Sequence, residues 1–190
     1  MFRDLLLKTR SYRNFDNTVR YTQEDMRQLI ELTRYTPSTA NRQPVKYAYV
    51  CDDESCRAVF PLLGWAGYLT EKPPYDGNLP TAYILMCYDT QISEQSPEID
   101  FGICAQTIVL GAMERGIGAC MIGSFKKPEA AKIFGLPENI VPRLIIALGK
   151  PYEKIVLTDA LDGDIKYYRD ADKTHYVPKR TLEDIIINQR

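Results

Sequence analysis

The segment Pro97–Arg115 constrains the fold of this chain more than any other, because its spacing predicts the longest helix. From Phe101 to Met113 the segment is apolar on nearly every side, and such a helix must be covered by protein all around. It therefore lies inside a domain or between subunits. A chain of 190 residues can bury about 70% of its surface, so we expect a single domain over residues 1–190.

Helical and strand patterns both occur along the rest of the chain and predict mixed α and β structure. Four shorter helices are predicted at Phe2–Thr9, Gln23–Tyr35 (with Thr22 as N-cap), Asp53–Leu63 and Pro128–Phe134. Strands are predicted at Val45–Cys51, Thr81–Tyr88 and Val141–Leu148, the last two buried on both faces. Gly64–Pro80 has the composition of an irregular loop or lid, and Thr181–Asn188 is predicted as a helical or extended arm.

Charge and hydropathy argue against several classes of function. Lys and Arg total 24 against 25 Asp and Glu, so the chain lacks the positive charge typical of nucleic-acid binding. No apolar stretch approaches the run of about 18–20 residues that a membrane span needs. The first residues are charged and lack the apolar centre of a signal peptide. We expect a cytoplasmic protein with no nucleic-acid and no membrane partner.

Cysteine and histidine usage predicts neither a metal site nor a disulfide framework. The five cysteines contain no C-x-x-C, and the one histidine, His175, lies in a polar, surface-like sequence. Each cysteine is predicted to be reduced and to serve as a small buried apolar residue. Carboxylate pairs such as Asp52-Asp53 stand in turn-like contexts and are predicted to be solvated. The residues reveal no side-chain nucleophile, acid or base for catalysis.

The glycine-rich segment Gly116–Gly123 is not a dinucleotide-binding fingerprint. Its glycines follow a helix instead of a strand, with spacing G-x-G-x-x-x-x-G. Gly116 is expected to end the helix in left-handed geometry. The rest is predicted as an apolar, glycine-punctuated turn whose bare backbone can approach a flat ligand closely.

Three polar segments each leave two interpretations open. Arg10–Arg13 suits an anion site or a solvated basic helix end. Pro37–Pro44 suits a loop that hydrogen-bonds a polar ring edge or an ordinary turn between helix and strand. Pro178-Lys179-Arg180 suits either solvated charges or further anion contacts.

Taken together and in this order, the segments resemble the FMN-dependent nitroreductase family over roughly Leu5 to Ile187. The matching elements are Arg10–Phe15, Pro37–Pro44, Asp100-Phe101-Gly102 through Gly123, Ala147–Pro151 and Val177–Arg180. The resemblance implies an α+β, nitroreductase-like fold with a central, mostly antiparallel sheet wrapped by helices. It also implies an intertwined homodimer with FMN sites built from both subunits and Pro97–Arg115 at the interface.

The resemblance also assigns roles to individual residues. Arg10 and Ser11 hold the FMN phosphate or ribityl chain, Tyr12 is a neighbouring contact, and Lys179 and Arg180 complete the phosphate site. Arg13 reaches the N1/O2 edge of the ring, and Pro37, Ser38, Thr39 and Asn41 line the ring from the partner subunit. The backbone of Ile122 and Gly123 faces N5, with Met121 alongside. Two positions depart from the family pattern: Thr9 replaces a basic residue, and Met121 stands where a Trp is frequent.

The implied activity is that of an oxidoreductase. NADH or NADPH reduces bound FMN, which then reduces a nitroaromatic, quinone or similar small-molecule acceptor by ping-pong exchange. Other flavin chemistry on the same fold (dehalogenation, enoate or ring reduction, or an oxidative reaction) is an alternative, with specificity residing in Gly64–Pro80. A flavin-binding dimer without turnover is a further alternative.

Overall fold

A computed structural model describes residues 1–75 and 77–188, and the chain divides into two compact units. The first unit comprises Met1–Trp65 with Pro74–Tyr152, and the second comprises Ala66–Pro73 with Glu153–Arg190. The described part of the predicted loop Gly64–Pro80 contains neither helix nor strand, as expected, and its residue 76 lies outside the described residues. The prediction of a single domain over residues 1–190 stays a prediction.

Most predicted elements are present, with shifted ends. The helices are α1 (Phe2–Lys8), α2 (Gln23–Glu31), α3 (Asp53–Val59), α4 (Glu98–Glu114), α5 (Lys127–Ile133) and α6 (Leu182–Ile185). The strands are β1 (Phe15–Asp16), β2 (Val45–Val50), β3 (Ala82–Asp89), β4 (Gly118–Ile122), β5 (Ile140–Pro151), β6 (Ile155–Asp159), β7 (Tyr168–Arg169) and β8 (His175–Lys179). Short 3-10 segments, Leu32–Tyr35 and Phe60–Leu62, follow α2 and α3, so the predicted longer helices change geometry before they end. Thr22 caps α2 as predicted.

The first unit is built on a five-stranded antiparallel sheet in which β5 is the central strand. β5 pairs with β1, β3 and β4, and β3 also pairs with β2. This arrangement confirms the predicted α+β fold with a mostly antiparallel sheet. The twelve residues of β5 allow it to bind three strands along its length, whereas the sequence pattern predicts only its apolar middle.

Both faces of this sheet are covered, which explains why β3 and β5 show no alternation of polar and apolar residues. Ile84 and Ile146 face a core formed with α2 and α4. Their neighbours Tyr83 and Ile145 face a second core formed with α3 and α5. Because successive side chains of a strand point to opposite faces, two cores require a strand that is apolar throughout.

The helix α4 is covered on one side within its own unit. Phe101, Cys104, Ala105, Ile108, Val109 and Ala112 are buried there. Ile99 on the same helix is 72% exposed, and Ile103 and Leu110 are half-buried. Nothing in the described residues meets the length and hydropathy of a membrane-crossing helix.

The second unit contains a three-stranded sheet with β8 in the middle, parallel to β6 and antiparallel to β7. The prediction that His175 lies at a polar surface is wrong, because its side chain is fully buried. His175 begins the middle strand, where Ile155 and Arg169 are its cross-strand neighbours, and its ring lies 5.3 Å from that of Tyr167. His175 is buried because it lies on a middle strand, between β6 and β7. The polar residues next to it in sequence do not indicate this position.

The predicted turn at Gly116–Gly123 is also wrong in its larger part. Gly116 has a φ of 73° at the end of α4, which confirms its left-handed geometry. From Gly118 to Ile122, however, the chain forms strand β4 along β5. Gly118 at its start, with Gly116 and Gly123 on either side, disguises a strand whose Cys120 and Ile122 face one core and whose Ala119 faces the other.

Candidate functional site

The arginine-containing segment Arg10–Arg13 lies along the edge strand β4. Ser11 forms a parallel bridge with Ala119, and the Tyr12 backbone N–H donates to the Ala119 carbonyl at 2.9 Å. Gly118 permits this approach, because a Cβ there would lie 2.8 Å from Pro151 Cγ and 3.1 Å from the Tyr12 ring. Two motifs more than a hundred residues apart in sequence are thus neighbours in space.

The guanidinium of Arg10 has one nitrogen that is hydrogen-bonded and another that has no acceptor among the described residues. Its Nη2 donates to the Leu6 carbonyl at 2.7 Å. Its Nε is buried and has no hydrogen-bond partner among residues 1–75 and 77–188. Burial lowers the pKa of Arg10, with Tyr12 opposing the shift, yet an arginine remains charged at neutral pH. A buried donor without an acceptor is costly and is typical of a place where a ligand oxygen binds.

The other arginine of this segment, Arg13, is half-buried, and its Nη1 donates to the Ser11 carbonyl at 3.2 Å. This hydrogen bond to the Ser11 carbonyl keeps the Arg13 guanidinium close to the β-bridge between Ser11 and Ala119. Arg10 and Arg13 therefore place two positive charges at the same edge of the sheet.

Open backbone follows at the end of β4. Met121 is 38% exposed and Ile122 is buried. At Gly123 no described atom would lie within 4 Å of an added Cβ, so a flat molecule could approach the backbone there. The next residue, Ser124, accepts the Gly64 N–H at 2.8 Å through its carbonyl. The predicted loop that begins at Gly64 is therefore joined to the chain immediately after Gly123.

The loop Pro37–Pro44 is attached to the first turn of α4. Thr39 donates its backbone N–H (3.1 Å) and its hydroxyl (2.9 Å) to Oδ1 of Asp100. Ser38 donates its hydroxyl to Oδ2 of the same carboxylate. Burial raises the pKa of Asp100, but these hydrogen bonds outweigh burial, and the pKa lies below the ordinary value for an aspartate.

The structure brings some predicted site residues together within the first unit. Arg10, Ser11, Tyr12 and Arg13 adjoin the strand that ends at Met121, Ile122 and Gly123. Pro37, Ser38, Thr39 and Asn41 form the loop attached to Asp100. Lys179 and Arg180 are exposed at the end of β8 in the second unit. The roles that the resemblance assigns to all of these residues stay predictions.

One buried residue at this site was not predicted from the sequence. Asp100 appears in the matching motif, but its hydrogen bonds to the loop were not anticipated. The available signal is an acid in the first turn of a helix that is otherwise apolar from Phe101 onward, which indicates a buried carboxylate in need of donors.

The cysteines offer no nucleophile in the described residues. Four of the five are buried, as predicted, and Cys51 is half-buried. Burial raises the pKa of Cys56 and that of Cys87 to about 12, so both thiols are protonated at neutral pH. Among the described residues, no group of three or more His, Cys, Asp and Glu side chains could hold a metal ion.

Comparison of folds identifies the class of protein. The nitroreductase family protein of Streptococcus pneumoniae TIGR4 superposes with a TM-score of 0.72 at 18% identity, with 100% of each chain covered. A structure from Exiguobacterium sibiricum 255-15, solved in complex with FMN, gives a TM-score of 0.70 at 19% identity over 100% of this chain and 97% of that chain. These likenesses show that the fold is that of the nitroreductases.

Sequence comparison then gives the family. The model of the Nitroreductase family matches residues 6–150. A curated protein from Archaeoglobus fulgidus, whose name contains the words NAD(P)H nitroreductase, is 26% identical over 161 residues, covering 80% of this chain and 84% of that protein. The chain belongs to the nitroreductase family, and the resemblance expected from its motifs is confirmed.

Proposed function

We propose that this protein is an FMN-dependent oxidoreductase. The buried Nε of Arg10, which has no acceptor in the part of the chain that the structure describes, lies near the open backbone at the end of β4 and is the observation that carries the proposal. FMN, when bound, supplies the redox chemistry, taking electrons from NADH or NADPH and passing them to a nitroaromatic, quinone or similar acceptor by ping-pong exchange. The FMN bound in the Exiguobacterium relative supports this choice of cofactor.

The residues of the chain bind and orient the cofactor and tune its potential. Arg10 supplies charge and donors for the phosphate, with Ser11 and Tyr12 beside it, and Lys179 and Arg180 add positive charge. Arg13 lies at the N1/O2 edge of the ring and favours the reduced form by its charge. The backbone at Ile122 and Gly123, with Met121 alongside, orients the N5 side of the ring. Pro37, Ser38, Thr39 and Asn41 line the ring from the partner subunit.

This arrangement requires a homodimer, and α4 supplies the surface for it. Ile99 is 72% exposed, and Ile103 and Leu110 on the same helix are half-buried. A symmetric dimer would cover this apolar surface from both copies. We also propose that the protein works in the cytoplasm, where NADH and NADPH are available.

The experiment is a visible absorption spectrum of protein purified in the dark, before and after anaerobic addition of NADH and then NADPH. We expect flavin bands at about one FMN per chain, bleached by at least one of the two nucleotides, and weaker bands in R10A. Flavin that neither nucleotide bleaches would contradict the activity and favour a flavin-binding dimer without turnover. Bleaching without transfer to nitroaromatics or quinones would favour another flavin reaction. Colourless protein that refuses added FMN would contradict the cofactor itself.

A further inference from the structure

The loop Pro37–Pro44 depends on a carboxylate outside the loop. Asp100 is only 2% exposed, and both of its oxygens accept hydrogen bonds from the loop. Three donors converge on it, namely the Ser38 hydroxyl, the Thr39 hydroxyl and the Thr39 backbone N–H. The loop and the start of α4 therefore form one hydrogen-bonded assembly.

Counting hydroxyl hydrogens shows what the loop can still offer to a ligand. Each serine or threonine hydroxyl has one hydrogen to donate, and Ser38 and Thr39 both give theirs to Asp100. Ser38 Oγ also accepts the Gln43 backbone N–H at 2.9 Å. These two side chains are therefore engaged in folding the loop and have no hydroxyl hydrogen left for a bound molecule.

Asn41 is placed differently. Its side chain is exposed, and its Oδ1 accepts a hydrogen bond from Gln43 Nε2 at 3.0 Å. This contact fixes the direction of the amide plane, and the Nδ2 hydrogens are not donated to any described residue. Asn41 thus presents outward amide donors whose direction is set by its contact with Gln43.

The backbone of the loop is held in an unfavourable conformation. Ala40, Asn41 and Gln43 have φ values of 50°, 53° and 52°, in the left-handed region that non-glycine residues avoid. Such residues persist where the surrounding structure fixes them, and they cluster at ligand-binding segments. The hydrogen bonds to Asp100 and the contact between Ser38 and Gln43 supply this constraint.

We propose that Asp100 is a positioning residue for cofactor binding, which holds the loop in its left-handed shape so that Asn41 can donate to the edge of the flavin ring. Ser38 and Thr39 act through Asp100, and their hydroxyls donate no hydrogen bond to the cofactor. This inference rests on the proposed FMN function. It changes the expected chemistry of the loop, because two of its hydroxyls become structural and one amide becomes the ligand contact.

A double-mutant cycle on FMN affinity tests this assignment in the full chain. We expect D100A to raise the Kd for FMN about 30-fold and S38A about 5-fold, since each removes hydrogen bonds that hold the loop. The double variant should be weaker than D100A by about twofold only, because its Ser38–Asp100 bond is already gone and S38A removes just the remaining contact with the Gln43 N–H. Losses that multiply fully in the double variant would overturn the proposal, since Ser38 would then act independently of Asp100.

Two further variants separate positioning from general stability. D100N keeps an acceptor oxygen for Thr39, so its Kd should lie between those of the wild type and D100A. Adding A40G to D100A should recover about fivefold in affinity, because glycine adopts the left-handed conformation without steric cost. A58G on the exposed side of α3 is the matched control and should recover nothing.

The outcomes distinguish this inference from the function on which it rests. Wild-type protein that binds no FMN would overturn both. Wild-type protein that binds FMN, together with A40G failing to rescue D100A, would overturn the role of Asp100 alone. If D100A does not fold, the same cycle is measured with D100N and S38A. Losses of FMN affinity that multiply fully in that double variant would again contradict the proposal.

Discussion

Tyr12 donates its backbone N–H to the carbonyl of Ala119 at 2.9 Å, which joins the segment after α1 to the edge strand β4. An edge strand offers unpaired backbone groups to whatever lies beside it. Here the adjoining chain carries Arg10 and Arg13, so the sheet edge and the positive charges are held together by backbone contacts instead of by flexible side chains.

The first prediction concerns the glycine that permits this contact. G118A should lower the free energy of unfolding by about 1–3 kcal/mol, because the new Cβ meets Pro151 Cγ at 2.8 Å and the Tyr12 ring at 3.1 Å. Urea unfolding followed by circular dichroism measures this loss. G67A is the control, since no described atom lies within 4 Å of a Cβ there and its φ is outside the left-handed region, so its stability should stay within about 0.5 kcal/mol of wild type. Equal stability of G118A and wild type would contradict the close approach.

The second prediction concerns Arg13. R13A should lower the two-electron midpoint potential of bound FMN by about 20–60 mV, because the reduced form loses a nearby positive charge worth about 1–3 kcal/mol. Anaerobic titration against reference dyes gives the potential, and R3A on the exposed side of α1 should leave it unchanged. An unaltered potential in R13A with FMN still bound would remove Arg13 from the N1 edge.

The third prediction separates phosphate contacts from ring contacts. K179A should raise the Kd for FMN about 5-fold, the modest effect expected of an exposed charge on a phosphate, and the potential of the bound fraction should hardly change. Fluorescence titration measures the affinity, with K166A, also exposed in the second unit, as the control. Equal affinities for K179A and K166A would count against a specific role for Lys179.

The fourth prediction follows from the lowered pKa of Asp100. The unfolded carboxyl has a pKa of about 3.9, and the hydrogen bonds from Ser38 and Thr39 hold the folded value lower. The stabilisation is therefore complete above about pH 4 and is lost as the pH falls through the folded pKa. D100N should be less stable than wild type at pH 7 by about 1–3 kcal/mol, and this gap should close on acidification.

Urea unfolding of both proteins between pH 7 and pH 3 measures that gap, and other carboxylates cancel because both proteins contain them. A gap that stays constant or widens toward acid would show that the Asp100 carboxyl is not stabilised in its charged form.

Sequence periodicity predicts the parts of this fold in which local pattern and packing agree. β3 and the middle of β5 are apolar throughout, as strands between two cores must be, and Thr22 carries the signal of a helix start. β4 escapes prediction because Gly118 serves a contact with Tyr12 and Pro151, which a single sequence does not reveal. His175 escapes because burial on a middle strand depends on its neighbours in space.

For the candidate site, the motifs indicate which residues matter but not how they are connected. The order of Arg10–Arg13, Pro37–Pro44 and Gly116–Gly123 points to the family. The pairing of Ser11 with Ala119 and that of Ser38 with Asp100 depend on tertiary structure. A residue such as Asp100, which acts by fixing the position of other residues, belongs to no recognisable binding motif. Local sequence therefore gives little indication of its role.

The position of β5 in the chain also affects how the protein is made. Ala82–Cys87 of β3 are fully buried in the folded protein, yet β5, which covers one edge of this strand, is synthesised roughly fifty residues later. At about 5–20 residues per second, the ribosome needs several seconds for that interval. During this time β3 can pair with β2, but its other edge stays open, which exposes an apolar strand to aggregation. We therefore expect chaperones that bind the nascent chain to raise the yield of soluble protein.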